Sequence, residues 1–139
     1  MSGLADAGQL HHVGVVVRSV AAAIPFYRDV LGYAVGPLHD VTEQRVKVVF
    51  VTRGDSRVEL LEPTDTDSGV ARFLAERGRD TLHHLCFEVA DLAATLARLA
   101  GEGVELIDRS PRQGVLGLVA FIHPRASGGV LVELLQHPR

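Results

Sequence analysis

The sequence is short of several things, and each shortage narrows what the chain can do. Cysteine occurs once, at Cys86, so an intrachain disulfide is excluded. Cys86 stands in an apolar, strand-like run, where a thiol reads as a buried inert group rather than a nucleophile. Positive charge is neither abundant nor clustered: 14 Lys and Arg face 17 Asp and Glu, for a net charge of −3 with His neutral. That removes the basic footprint of a nucleic-acid binder and the Lys/Arg clusters that hold anionic lipid. No apolar run reaches the roughly 18 residues that a membrane span needs. Residues 1–9 lack the charged start and apolar stretch of a signal peptide. The expectation is a cytoplasmic protein that engages neither nucleic acid nor membrane.

What is there is an ordinary globular balance, 47% hydrophobic and 22% charged over 139 residues. That length suits one domain and can bury a substantial core. Linkers are short and no segment is of low complexity.

The chain repeats itself. Leu10-His11-His12-Val13 recurs as Leu82-His83-His84-Leu85, and in that register Val17 falls on Val89, Ala21 on Ala93 and Ala22 on Ala94. Val58-Glu59-Leu60-Leu61 recurs as Val132-Glu133-Leu134-Leu135. His12 and His84 lie 72 residues apart, and Glu59 and Glu133 lie 74 apart. Two matches at nearly one spacing argue for duplication of a unit of about 70 residues.

Local patterns agree with a duplication. Residues 10–17 are β-branched and apolar and read as a strand. Arg18 or Ser19 then opens a segment with Val20, Ala23, Ile24, Tyr27 and Leu31 at helical spacing, closed by Gly32. Pro25 removes a backbone donor inside it and is expected to kink it. Strands are expected near 33–39, 45–53 and 56–62, with Arg53-Gly54-Asp55-Ser56 as the turn between the last two. A linking helix near 68–77 is capped by Asp67 or Ser68 and ended by Gly78. The second half repeats the order: a strand near 82–89, a helix near 91–101 from Asp91 to Gly101, and strands near 104–107, 116–122 and 130–136. Each half therefore reads βαβββ. The chain, 1–139, is expected to be a single domain of two modules, about 8–78 with the linking helix and about 80–139.

The repeat strengthens signals that are weak alone. A lone strand histidine is usually structural, and a lone Glu in an alternating strand is usually an outward-facing charge. Here each half contributes one His and one Glu at equivalent places. If the halves pack about a pseudo-twofold axis, these residues can converge on one point. Two imidazoles and two carboxylates form a mixed N/O set suited to Zn, Co, Ni, Mn or Fe. Each half offers adjacent histidines, and strand alternation puts His12 and His84 on a face with Gly14 and Cys86, with His11 and His83 on the other. Spacing alone does not choose between the pairs. The bland alternative is a motif that only stabilises the fold.

These residues carry a resemblance. The chain resembles the vicinal oxygen chelate superfamily and, within it, the methylmalonyl-CoA epimerases, from about Leu10 to Gln136. His12-Val13-Gly14-Val15-Val16-Val17 is similar to that family's first metal strand, and Phe26-Tyr27-Arg28-Asp29-Val30-Leu31-Gly32 is common across the superfamily. Glu43-Gln44 with Val46-Lys47-Val48, Val58-Glu59-Leu60-Leu61-Glu62-Pro63, Leu82-His83-His84, and His123-Pro124-Arg125 with Gly128-Gly129-Val130 resemble the epimerases more specifically. The resemblance implies an α+β fold, two βαβββ modules forming a curved mixed sheet around a metal site. It implies that His12, Glu59, His84 and Glu133 bind a divalent metal ion. It also implies exchange of the two configurations at C2 of methylmalonyl-CoA by proton abstraction to an enolate, on a small acyl-CoA substrate.

Within that expectation Glu133 is the first candidate base. The second base of some relatives falls on Val48 here, which leaves Glu43 as the nearest carboxylate. Arg109, Arg112 and Arg125 are candidates for the CoA phosphates, since Arg suits phosphate geometry. His39, His123 and His137 remain unassigned. Exposed sheet edges favour a homodimer. Three departures from the family pattern stand out: Arg45 replaces a glycine, Gly114-Val115-Leu116-Gly117 replaces a Gly-Ala-His-Gly stretch with one residue fewer before Phe121, and Arg125 replaces a lysine. The alternatives are a glyoxalase-type (lactoylglutathione lyase-like) isomerase, a specialised biosynthetic enzyme, or a non-catalytic ligand-binding resistance protein of the same fold.

Overall fold

The computed structural model describes Gly3, Leu4 and Ala7–Arg139. Two compact units emerge, and the divisions fall inside the two histidine strands. One unit is His12–His83. The other joins the described residues up to His11 with His84–Arg139.

The first unit opens with the second half of β1 (Ala7–Val16). Ser19 caps α1 (Val20–Pro25) by accepting from the Ala22 amide at 3.1 Å. The expected kink at Pro25 takes a specific form. Proline has no N–H to continue the ladder, and the chain widens into one π turn, Phe26–Val30, closed by the Leu31 amide onto the Phe26 carbonyl. The strand expected near 33–39 resolves into two short ones on β4 (Val46–Arg53): β2 (Ala34–Val35) and β3 (His39–Val41). β4 returns through Gly54, at φ 57°, into antiparallel β5 (Ser56–Pro63). β5 in turn lies parallel to β1. Ser68 caps α2 (Gly69–Arg77), and Gly78 ends it in the left-handed region.

The second unit repeats the scheme. β6 (Thr81–Val89) leads to α3 (Leu92–Gly101), capped by Asp91. The strand expected near 104–107 is reduced to one bridge, Leu106 to Ile122. β7 (Arg112–Gln113), β8 (Leu118–Ile122) and β9 (Val132–Gln136) follow, with β9 antiparallel to β8 and parallel to β6.

Each unit packs its helix on one face of its strands. Val17, Val20, Val49, Val51 and Leu60 bury one interface. Val89, Leu92, Leu96, Leu99, Ala120 and Leu134 bury the other. Alternation leaves the opposite face of the same strands for Phe50 and Glu59, and for Phe121 and Glu133. Helix docking is duplicated to the atom. The Val20 amide donates to Glu62 Oε1 at 2.8 Å, and the Leu92 amide donates to Gln136 Oε1 at 2.7 Å. Both acceptors sit three residues beyond the repeated Glu, and each satisfies an orphan donor of the first helical turn.

The glycine departure at Arg45 has a structural consequence. Arg45 is the one non-glycine with positive φ among the described residues, at φ 57° and ψ 44°, ending the 3-10 turn Thr42–Gln44. A side chain there costs roughly 1–2 kcal/mol. Its guanidinium offsets part of that cost through Asp65 at 2.9 Å and Asp67 at 3.0 Å. Burial works against the Asp65 charge, but hydrogen bonds from Ser68 and the nearby Arg45 hold its carboxyl below the ordinary value. A folded pKa below the unfolded one gives stability above the unfolded pKa that is lost as pH falls through the folded one. Arg45→Ala keeps the strain and loses the pairs, whereas Arg45→Gly loses both. Denaturant titration at neutral pH should find Arg45→Gly more stable than Arg45→Ala by about 1 kcal/mol. An equal or lower stability for the glycine variant would show that the left-handed residue carries no strain.

Candidate active site

Histidine and glutamate meet in each unit by the same construction. Glu59 on β5 is in register with Gly14, two residues beyond His12 on the parallel strand β1. That offset brings His12 Nε2 to 3.6 Å from Glu59 Oε1. Both side chains are buried, with His12 4% and Glu59 8% exposed. On β4, Phe50 stands directly across from Glu59. Its ring meets the His12 imidazole edge-on, with centroids 5.3 Å apart.

The other unit matches feature for feature. Glu133 on β9 is in register with Cys86, two residues beyond His84 on β6. His84 Nε2 lies 3.2 Å from Glu133 Oε1, and both residues are buried. Phe121 on β8 stands across from Glu133 and meets His84 edge-on at 5.9 Å. Sequence reasoning named the histidines and glutamates but missed the two phenylalanines. Their spacing of 71 residues, close to the repeat period, was the signal available.

An apolar wall borders each pair. Val46, Val48 and Leu61 form one beside Phe50. Cys86, Val119 and Leu135 form the other, with Leu116 packed against them. Val48, the position at which the family resemblance placed a second base, is therefore buried hydrocarbon at 2% exposure. Cys86 is fully buried and serves as wall, in keeping with its sequence context. Glu43 is exposed in the turn Thr42–Gln44.

The first histidines of the two pairs diverge. His83 packs on α2, its ring edge-on to Phe73 at 5.1 Å, and Arg77 lies over that same Phe73 ring. His11 is buried like His12, with its ring centroid 5.2 Å from that of His137. The arginines also separate. Arg125 is engaged by Glu105 through bonds of 2.6 and 3.1 Å. That hydrogen bond from Arg125 holds the Glu105 carboxyl below its ordinary value. Arg109 is exposed. Arg112 alone of the three is described beside a site aromatic: its guanidinium is 5.8 Å from the Phe121 ring, anchored by Asp108 at 3.1 Å. His123 accepts from the Arg125 amide and caps the turn Pro124–Ser127. His39 lies on the short strand β3.

The donor set suits a divalent metal. Carboxylates this buried carry a heavy desolvation cost unless a cation or hydrogen-bond donor meets them. Here each is held against an imidazole, the commonest metal ligand. No helix among the described residues is long and apolar enough to cross a membrane.

Comparison with known proteins shows the family and the fold. The model of the Glyoxalase/Bleomycin resistance protein/Dioxygenase superfamily matches residues 11–121. The mitochondrial methylmalonyl-CoA epimerase of Mus musculus is 39% identical over 93% of this chain and 73% of its own length. An ethylmalonyl-CoA/methylmalonyl-CoA epimerase of Cereibacter sphaeroides is 37% identical over 93% of this chain and 98% of its own. The crystal structure of methylmalonyl-CoA epimerase from Mycobacterium tuberculosis superposes with a TM-score of 0.91 at 31% identity, covering 100% of this chain and 94% of that one.

The altered loop before β8 is fixed by one glycine. The Gly114 amide donates to the Gly117 carbonyl at 2.7 Å. A Cβ on Gly117, at φ 156°, would stand 2.2 Å from the Gln136 carbonyl oxygen, which is backbone and cannot rotate away. Gly117→Ala is expected to cost at least about 2 kcal/mol in thermal or denaturant unfolding, as overpacking against backbone does. A change below the noise of the measurement would mean that the loop yields freely and does not fix Leu116 against the wall.

Proposed function

Because this chain belongs to the glyoxalase/bleomycin resistance protein/dioxygenase superfamily, we propose that it is an isomerase interconverting (2R)- and (2S)-methylmalonyl-CoA. The observation that carries this is the duplicated His–Glu–Phe construction, His12/Glu59/Phe50 and His84/Glu133/Phe121, in a chain 37–39% identical to epimerases over nearly its whole length. His12, Glu59, His84 and Glu133 are the residues that would hold one divalent metal ion. When bound, such an ion supplies Lewis acidity toward the thioester and carboxylate oxygens of the substrate.

The chain's own residues do the rest. Glu133 takes the C2 proton; the C–H bond breaks and its electron pair enters the enolate between thioester and carboxylate. Return of a proton to the opposite face gives the inverted centre. The apolar walls, Val46, Val48 and Leu61 beside one His–Glu pair and Cys86, Val119 and Leu135 with Leu116 beside the other, limit bulk water next to each pair. Val48 cannot carry a proton, so Glu43 or a bound water serves the second face. Arg112 over Phe121 is the arginine best placed to meet an anionic group of the acyl-CoA. A homodimer belongs to this reading, with an interface away from the sheet edges, because edge strands as short as β2 and β7 blunt edge-to-edge pairing.

The discriminating experiment is proton–deuterium exchange at C2 of methylmalonyl-CoA, run beside turnover of a glutathione hemithioacetal. Exchange without hemithioacetal turnover is the expected result, and the reverse would sink the proposal. His12→Ala and His84→Ala should each abolish exchange, while His11→Ala should retain it.

Glu133→Gln keeps an oxygen donor while losing basicity, so it should retain metal and lose exchange by about 100-fold or more. Near-normal exchange in that metal-loaded variant would show that the base lies elsewhere. Glu43→Gln reports on the second face: loss of inversion with one-sided deuterium wash-in assigns the opposite proton to Glu43, and unchanged inversion assigns it to water.

A further inference from the structure

A second group of metal-type donors lies within the unit that contains α3, built from residues the proposed epimerisation does not use. His11 comes from the middle of β1, Glu88 from β6, and His137 from the residue that follows β9. Their ring nitrogens and carboxylate oxygen lie within 4.8 Å of one another. His137 Nε2 is 3.2 Å from Glu88 Oε1. The rings of His11 and His137 are 5.2 Å apart and tilted by 58°, so they do not stack face to face. We infer that His11, Glu88 and His137 form a second divalent-metal site, of the Zn2+ or Ni2+ class, independent of the proposed epimerase site.

Ligand spacing carries the inference. Zn–N and Zn–O bonds of about 2.0–2.2 Å put tetrahedral ligand atoms roughly 3.5 Å apart. The Glu88–His137 separation already meets that spacing, and the remaining gap closes with small side-chain rotations. Two imidazoles and one carboxylate suit a borderline ion. The three donors come from stretches far apart in sequence, so no local turn or helix brings them together. Burial separates this cluster from an ordinary surface ion pair. His11 is only 4% exposed, whereas the Glu88 and His137 side chains are 35% and 46% exposed. An exposed His–Glu pair by itself is worth about 0–1 kcal/mol, too little to draw a buried imidazole into the group.

The surroundings leave room for an ion that keeps part of its hydration. Glu88 and His137 line an open cleft of about 280 Å³, with Gly8, Val89, Ala90 and Gln136 as its other walls. Gly8 packs against the Glu88 backbone, where a Cβ would come to 3.2 Å from the Glu88 carbonyl oxygen. The absence of a side chain there keeps the cleft open beside the carboxylate. Three protein ligands and an open side describe a site whose fourth position is water or an exogenous anion. The sequence echo excludes simple duplication as its origin, because His83, the counterpart of His11, packs on Phe73 instead.

The test counts metal. Metal-stripped protein is titrated with Zn2+ by calorimetry, and the bound equivalents are compared between the unaltered chain and the variants His137→Ala and Glu88→Gln. Far-UV circular dichroism confirms that each variant is folded. Both substitutions lie on partly exposed side chains outside the proposed epimerase site, so folding should survive. Each variant is expected to bind one equivalent fewer than the unaltered chain, whatever occupies the other site. In a His12→Ala/His84→Ala background one equivalent should remain, and adding His137→Ala should remove it. Equal stoichiometry in the unaltered chain and in both single variants would overturn the second site, with no bearing on C2 exchange.

Discussion

A carboxylate that leaves water inside a sheet has to find a cation or a donor, and most of this structure is arranged around doing that twice. Glu59 and Glu133 are 8% and 9% exposed, and each is met by an imidazole buried more deeply still. Removing one partner of such a buried pair typically costs about 3–5 kcal/mol, because the remaining charge is left in low dielectric. Burying polar pairs this way is poor value for stability alone, since apolar residues of similar volume do as well. Two such pairs in a chain of 139 residues point to chemistry.

The rest of each unit keeps that pair in place. Parallel pairing of the histidine strand with the glutamate strand sets the two-residue offset between them. An antiparallel neighbour then delivers a phenylalanine opposite the glutamate and edge-on to the histidine. Behind the strands, a helix is fixed at its first amide by Glu62 in one unit and Gln136 in the other. Helix, strands and site therefore share one frame, and the apolar walls can be tuned without touching the ligands. Val48, Leu116 and Arg45 are where this chain uses that freedom. Leu116 adds hydrocarbon beside Cys86, Val119 and Leu135. Arg45 exchanges the ease of a glycine for ion pairs to Asp65 and Asp67.

Much of this was legible in the sequence because duplication writes every feature twice. The Leu-His-His and Val-Glu-Leu-Leu echoes identified the histidine and glutamate strands, and capping residues located the helices: Ser19, Ser68 and Asp91 all accept from the amide three residues on. Pro25 marked the break in the first helix, and Gly54 marked the hairpin. Less regular segments escaped. A single expected strand over 33–39 proved to be two short pairings on β4, and 104–107 kept only one bridge. Edge segments are set by what they pack against, and that is not written in their own periodicity.

The sequence by itself determined the period, the repeated donors and the alternation that puts His12 on a face with Gly14 and His84 on a face with Cys86, because those depend on residue order and backbone geometry alone. Only the tertiary structure decided what the adjacent histidines do. His11 and His83 occupy the same place in the repeat, yet one meets Glu88 and His137 and the other meets Phe73 and α2. Their partners come from distant stretches that the two halves do not share: the linking helix α2, which follows β5, carries Phe73, while His137 directly follows β9. Long-range partners are chosen by how strands and helices pack, and packing is a property of the folded chain that no local repeat encodes.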